Sequence, residues 1–176
     1  TQAIAEYEGP VYLRFGRPVW PIFTNESDFK IGKAQVFSEG TDVSIFACGH
    51  MVWYAIQAGA ILQEKGVSVE VINIHTIKPL DEEAVLQSIR KTKCAVTAEE
   101  HNIIGGLGDA IAQCAVKNLP IPIEYVGTKD TFGESGKPTD LLKKYGLDIP
   151  DIVAAAEKAM KRKNSYLFFR IPGRFS

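Results

Sequence analysis

Residues 43–74, VSIFACGHMVWYAIQAGAILQEKGVSVEVINI, decide the fold. Val43 to Cys48 is an almost unbroken apolar run, the composition of a strand covered on both faces. Gly49 interrupts it. From Met51 to Lys65 the apolar positions Val52, Ala55, Ile56, Ala60 and Ile61 recur at helical spacing, and Gly66 supplies the stop. Val67 to Ile74 then reads as a second strand. A strand, a helix and a strand in succession form a parallel pair joined by a right-handed crossover.

The same alternation continues downstream. Asp81 caps a helix over about Glu82–Lys91, with acidic residues in the first turn and basic ones in the last, as the helix dipole favours. Cys94 to Ala98 is a strand. Gly106 to Lys117 is a helix with Leu107, Ala110, Ile111 and Cys114 on one face, and Ile121 to Val126 is the last strand. Two helices follow, about Thr139–Tyr145 and Pro150–Lys163. Upstream, Lys33–Ser38 is a strand with no crossover helix after it, which places it antiparallel at an edge. Val11 to Phe15 reads as a short strand, and residues 16–30, broken by Gly16, Pro18, Pro21 and Asn25, as a linker. The expected architecture is α/β: a three-layer sandwich around a mostly parallel five-stranded sheet with one antiparallel edge strand. Lys161-Arg-Lys163 looks like a clean helix end. The tail from Tyr166 to Ser176, aromatic and basic, either packs on a neighbour or is a cloning or reading-frame artefact.

Composition excludes several classes. The 176 residues are 45% hydrophobic, enough for one compact domain with a real core. Twenty basic and 21 acidic side chains leave a net charge of -1, so no basic field draws nucleic acid or an anionic membrane. No apolar run reaches the length of a membrane span, and residues 1–10 carry no signal-peptide pattern. Cys48, Cys94 and Cys114 are too widely spaced for a zinc or redox motif; each sits in an apolar run and reads as a buried thiol of a reducing cytoplasm.

The densest signal is Glu99-Glu-His-Asn-Ile-Ile-Gly-Gly-Leu-Gly108, at the end of a strand and the opening of a helix. Ligands of open parallel sheets bind at that edge. Gly105, Gly106 and Gly108 permit close approach, and the helix start offers N–H groups to an anion. The dinucleotide pattern G-x-G-x-x-G is not matched. Glu99, Glu100, His101, Gly105, Gly106 and Gly108 therefore mark either a ligand edge or a tight turn packed against another chain. His101 beside two carboxylates suits acid–base work or a polar subunit contact. His50 and His75 end strands on the same edge, but no cysteine or carboxylate spacing supports a metal. Lys78, held out of helix by Pro79, could face an anion or simply the surface. In Asp130-Thr-Phe-Gly-Glu-Ser-Gly136, Glu134 and Ser135 could cap the next helix or contact a partner; Gly-Glu-Ser-Gly is not a nucleophile elbow. Arg14 and Arg17 flank a turn and have the fork geometry that suits phosphate, with Tyr12, Phe15, Trp20 and Phe23 as walls or as core.

In order and spacing, His75-Thr-Ile-Lys-Pro-Leu-Asp81, Thr97-Ala-Glu-Glu-His-Asn-Ile-Ile-Gly-Gly-Leu-Gly108, Asp130-Thr-Phe-Gly-Glu-Ser-Gly136 and Tyr145-Gly-Leu147 resemble the C-terminal domain of transketolases, over roughly residues 10–163. The resemblance implies the end of a pyrimidine-binding domain and a linker at 1–30, the C-terminal domain at 31–163, and an atypical tail at 164–176. It implies ketol transfer between sugar phosphates in the pentose phosphate pathway, with thiamine diphosphate and Mg in the complete enzyme and none on this chain alone. The diphosphate motif Gly-Asp-Gly…Asn is absent, and the cofactor-activating glutamate is expected before residue 1. No catalytic residue is carried over; Arg17 matches the arginine that grips the substrate phosphate. The implied partners are the N-terminal transketolase domains or a separate subunit, and a second copy in a homodimer. The alternatives are a stand-alone assembly module and the C-terminal half of a 1-deoxyxylulose-5-phosphate synthase or of a 2-oxo acid dehydrogenase β subunit.

Overall fold

The computed structural model describes residues 1–16, 19–24 and 29–169. After a single turn, α1 (Gln2–Ala5), the elements run β1 (Gln35–Ser38), β2 (Val43–Ala47), α2 (Met51–Glu64), β3 (Val69–Asn73), α3 (Glu82–Thr92), β4 (Ala95–Asn102), α4 (Leu107–Asn118), β5 (Ile123–Thr128), α5 (Pro138–Lys144) and α6 (Ile149–Phe169). The sheet order is β1-β3-β2-β4-β5. β2 pairs in parallel with both β3 and β4, and β4 with β5, while β1 runs antiparallel along the edge of β3. The α/β class, with five mostly parallel strands and one antiparallel edge, is as the sequence predicts.

Both faces of the sheet are covered, which is why β2 and β3 are buried along their whole length. Side chains alternate between two cores. Val43, Ile45 and Ala47 join Val96, Ala98 and the apolar stripes of α2 and α6 on one side. Phe46 and Ala95 join Val85 and Ile89 of α3 and Leu107 and Ile111 of α4 on the other. Each fully buried Val, Leu, Ile or Phe among them contributes about 1.5–3 kcal/mol. Asp81 draws the edge strand in. One carboxylate oxygen accepts from Ala84 N–H and caps α3, and the other accepts from Ala34 N–H just before β1.

Three expectations need correction. Residues 11–15 form no strand; a lone segment has no ladder to join, and Tyr12 and Phe15 stand 87% and 83% exposed. The last helix does not end at Lys163. Its basic residues anchor it: Lys163 Nζ donates to Asp42 O and Thr92 O, and Arg162 donates to Ile123 O and Glu124. Residues 164–169 hold no glycine or proline, so the helix runs on to Phe169. Residues 170–176 lie outside the described ones. Finally, β4 extends to Asn102, so both carboxylates and His101 lie on the strand.

Candidate functional site

Strand order reverses between β2 and β4, and the C-terminal ends of those strands frame the crevice where open α/β sheets take ligands. The end of β4 is irregular there. Ala98 lies opposite Val126 and Asn102 opposite Thr128, so β4 carries two more residues than β5 over the same interval. Such a bulge re-aims side chains. It closes on Gly127, where a Cβ would stand 2.8 Å from Ile103 and 3.0 Å from His101 O.

The two neighbouring glutamates point to opposite faces. Glu99, 1% exposed, turns towards α4. Leu107 N–H donates to its Oε2 at 2.7 Å and Gly108 N–H to its Oε1 at 2.8 Å. The carboxylate thus occupies the anion position at the start of the helix, where the dipole favours it. The glycines make this possible. A Cβ on Gly106 would collide with Glu99 Oε2, and one on Gly108 would stand 2.5 Å from Tyr125. Gly105, at φ +80°, donates its N–H to Asp109 at 2.6 Å, and Ile104 N–H donates to Asn102 Oδ1 at 2.9 Å. The N–H groups of Ile104, Gly105, Leu107 and Gly108 thus all find acceptors within the chain.

Glu100 faces α2. Arg14 Nη2 donates to its carbonyl oxygen at 2.7 Å and lies 3.6 Å from its carboxylate. The same carboxylate is 3.5 Å from His50 Nε2. His50, at the start of α2, stacks face to face on Trp20, with ring centroids 4.3 Å apart and planes within 2°. Tyr54 closes the pair edge-on. Burial pushes the His50 imidazole below its usual range, with Arg14 acting the same way and Glu100 opposing. Trp20 and Phe23 pack on the core, as one of the two sequence readings had it, while Tyr12 and Phe15 do not.

The three histidines share an edge but not a site. His75 packs its ring 4.3 Å from Phe29, and its Nδ1 is 2.8 Å from Thr76 Oγ1; burial lowers its pKa. His101 is exposed, with Nδ1 2.9 Å from Asn102 O. Among the described residues no three His, Cys, Asp or Glu side chains gather as metal ligands. Lys78 and Ser135 are exposed. Glu134 does not cap α5; it reaches Lys144 at the far end of that helix. Arg17 lies outside the described residues. Cys94 and Cys114 are buried and Cys48 partly so. Burial, and then the Glu99 charge, push the Cys48 thiol up to about 12, and burial pushes Cys94 up to about 11. The Trp20–His50 stack escaped sequence reading, because nothing in residues 10–24 says which aromatic turns inward.

Residues 32–152 match the family described as transketolase, C-terminal domain. A 6-deoxy-6-sulfo-D-fructose transketolase subunit from a Clostridium species is 46% identical over 162 residues, which span 92% of this chain and 50% of that one. A 1-deoxy-D-xylulose-5-phosphate synthase from Desulforudis audaxviator is 37% identical over 167 residues, 92% of this chain and 26% of that one. Among solved structures, a split-gene transketolase described as an inactive β4 tetramer superposes with a TM-score of 0.88 at 44% identity, covering 92% of this chain and 55% of that one. The chain therefore spans about half the length of the subunits it matches. Among the described residues no helix is long and apolar enough to cross a membrane.

Proposed function

This chain belongs to the family of transketolase C-terminal domains, and from that premise we propose that it is the C-terminal portion of a thiamine-diphosphate-dependent transketolase, serving assembly and inactive alone. The observation that carries this reading is the pair of hydrogen bonds from Leu107 and Gly108 to Glu99. A diphosphate with its magnesium needs free N–H donors and a set of carboxylate ligands. The glycine-rich turn has given its donors to its own glutamate, and the described residues hold no metal-ligating cluster. They do not fit the diphosphate end of the cofactor. In this reading that end sits on the domains this chain assembles with, where thiamine diphosphate supplies the chemistry that carries the two-carbon unit.

What remains for this chain is to bind and to orient. Arg17 grips the phosphate of the sugar substrate. Tyr12, Phe15, Val19 and Ile22 on the N-terminal segment, with Ile104 and Phe132 on the loops after β4 and β5, are exposed apolar side chains suited to a protein contact. The partners are the cofactor-binding portion of the enzyme and a second copy of this chain. The description of a 44% identical neighbour as an inactive tetramer of β subunits supports inactivity without that portion.

The test is ketol transfer from a phosphorylated ketose in the presence of thiamine diphosphate and Mg. The purified chain should show none, and adding the cofactor-binding portion should establish it. Turnover by the chain alone would sink the proposal. The likeness to a 1-deoxy-D-xylulose-5-phosphate synthase favours a second reading, in which the assembled enzyme forms 1-deoxy-D-xylulose 5-phosphate. Measuring both products in one assay separates the two.

A further inference from the structure

Phe132, on the loop that joins β5 to α5, stands 98% exposed. A loop that left the ring in water for want of structure would have few tethers. This one has several. At its base Ile103 N–H donates to Thr128 O at 3.0 Å, and Asn102 Nδ2 donates to Asp130 Oδ1 at 3.1 Å, where the backbone takes a left-handed φ of +50°. Tyr145 OH donates to the carbonyl oxygen of Phe132 itself at 3.1 Å. Two residues on, both carboxylate oxygens of Glu134 accept from Lys144 Nζ, at 2.7 and 2.6 Å. The backbone is thus fixed on both sides of a side chain that gains nothing from this fold. Fixing it in advance is what an interface anchor needs, because docking then loses little chain entropy. Lys129, Glu134 and Lys144 border the same groove as Phe132 and supply the polar rim that surrounds such an anchor.

We propose that this loop is a preformed docking element for the cofactor-binding portion of the enzyme, with Phe132 as the side chain that is buried there. The inference rests on the transketolase reading above. Two observations name the occupant. The chain spans about half the length of the subunits it matches and aligns with a C-terminal domain family, so in those subunits a further body precedes the matched part. Residues 11–16, which lead into the domain, are tied to the same edge of the sheet. Arg14 is held by Glu100 near the end of β4, and Val11, Tyr12, Leu13 and Phe15 around it are exposed. Because β4 and β5 are parallel, the loops that follow them open at that edge too. A body reached through residues 11–16 is placed to meet Phe132, and with it the exposed Ile104.

The experiment titrates the cofactor-binding portion, loaded with thiamine diphosphate and Mg, into this chain and reads Kd by calorimetry. Truncating a buried interface anchor weakens binding by about tenfold or more. Phe132→Ala should therefore raise Kd at least about tenfold. It should leave the Tm of the chain alone unchanged, since a ring 98% exposed has almost no contact to lose. Tyr145→Phe keeps its ring and removes the bond to the Phe132 carbonyl; Kd should rise roughly two- to tenfold, the worth of one hydrogen bond that holds the loop ready. Val116→Ala, an exposed apolar position near the far end of α4, should leave Kd unchanged. An unchanged Kd for Phe132→Ala, or an equal rise for Val116→Ala, overturns the anchor. An unchanged Kd for Tyr145→Phe overturns the preformed loop. A Phe132→Ala effect confined to self-association in sedimentation gives the ring to a second copy, and overturns the proposal as well. Failure of the wild-type chain to bind the cofactor-binding portion at all is a separate result; it removes the transketolase reading and this inference with it.

Discussion

Replacing Glu99 by alanine should cost this fold more than any exposed substitution. The carboxylate accepts from Leu107 N–H at 2.7 Å and Gly108 N–H at 2.8 Å. Hydrogen bonds to a charged group contribute about 1.5–3 kcal/mol each, offset in part by the desolvation of a carboxylate that is 1% exposed. Alanine also leaves two amides of α4 with no acceptor at a buried position, at about 1–3 kcal/mol each. These are two views of one loss, not two losses, and they converge on about 3–5 kcal/mol. For a chain of this length that lowers Tm by roughly 6–20 °C. Thermal and urea unfolding would measure it. A loss below about 1 kcal/mol would refute the cap, because it would mean the amides find another partner. Gly106→Ala gives an independent check. The new Cβ collides with Glu99 Oε2, so the substitution should displace the carboxylate and destabilise the fold by a similar route. In a Glu99→Ala background most of that penalty should vanish, leaving a coupling of at least about 1 kcal/mol. Strictly additive penalties would show that the glycine is there for some other reason.

Other consequences follow from the same geometry. Burial lowers the pKa of His75 from 6.5, so the unfolded chain takes up a proton more readily. The contribution of this group to stability is complete above about pH 6.5 and declines as pH falls through the lowered value; His75→Phe should flatten that part of the stability profile measured by urea titration, and an unchanged slope would count against it. Lys91 Nζ lies 2.5 Å from Oε1 of Glu70, which is 2% exposed and also accepts from Ser88. Lys91→Met should destabilise by about 1–2 kcal/mol, the value for orphaning a buried acid reduced for screening at a half-exposed amine; equality with wild type in denaturant would exclude that pairing. With thiols at about 12 and about 11, Cys48 and Cys94 should resist a thiol-exchange reagent at pH 8 until urea unfolds the chain. Rapid labelling of either in the native protein would contradict their placement.

The fold was legible because its signals are local. A short apolar run such as Val43–Cys48, bounded by Gly40 and Gly49, reads as a strand covered on both faces, and Asp81 followed by Glu82 and Glu83 announces a helix start that the structure then uses. The misreadings arose where local chemistry has two meanings. Lys161-Arg-Lys163 is what a helix end favours, but it is also what carbonyl-rich strand starts attract, and the second use prevails here. Val11 to Phe15 has strand composition, but a strand is defined by its neighbour, and among the described residues none pairs with it. Gly106 and Gly108 are points of close approach, as expected, whereas Gly105 has open space where a Cβ would stand and serves a left-handed turn at φ +80° instead. What approaches is Glu99 at Gly106 and Tyr125 at Gly108, and Glu99 lies eight and nine residues from its amide donors, beyond what local sequence reading pairs.

Adjacent carboxylates on β4 divide the work of the sheet edge. On a strand, neighbours point to opposite faces, so Glu99 and Glu100 could never have formed a paired-carboxylate site. Glu99 closes the start of α4 from one face, while Glu100 holds Arg14 and lies beside His50 at the start of α2 on the other. One element thereby ties the glycine-rich turn and the N-terminal segment to the same point of the sheet. An edge built in this way is suited to holding two bodies in fixed relation. Glu99 is taken up by the chain itself, and beside the exposed His101 the edge presents the apolar side chains Tyr12, Phe15, Ile104 and Phe132.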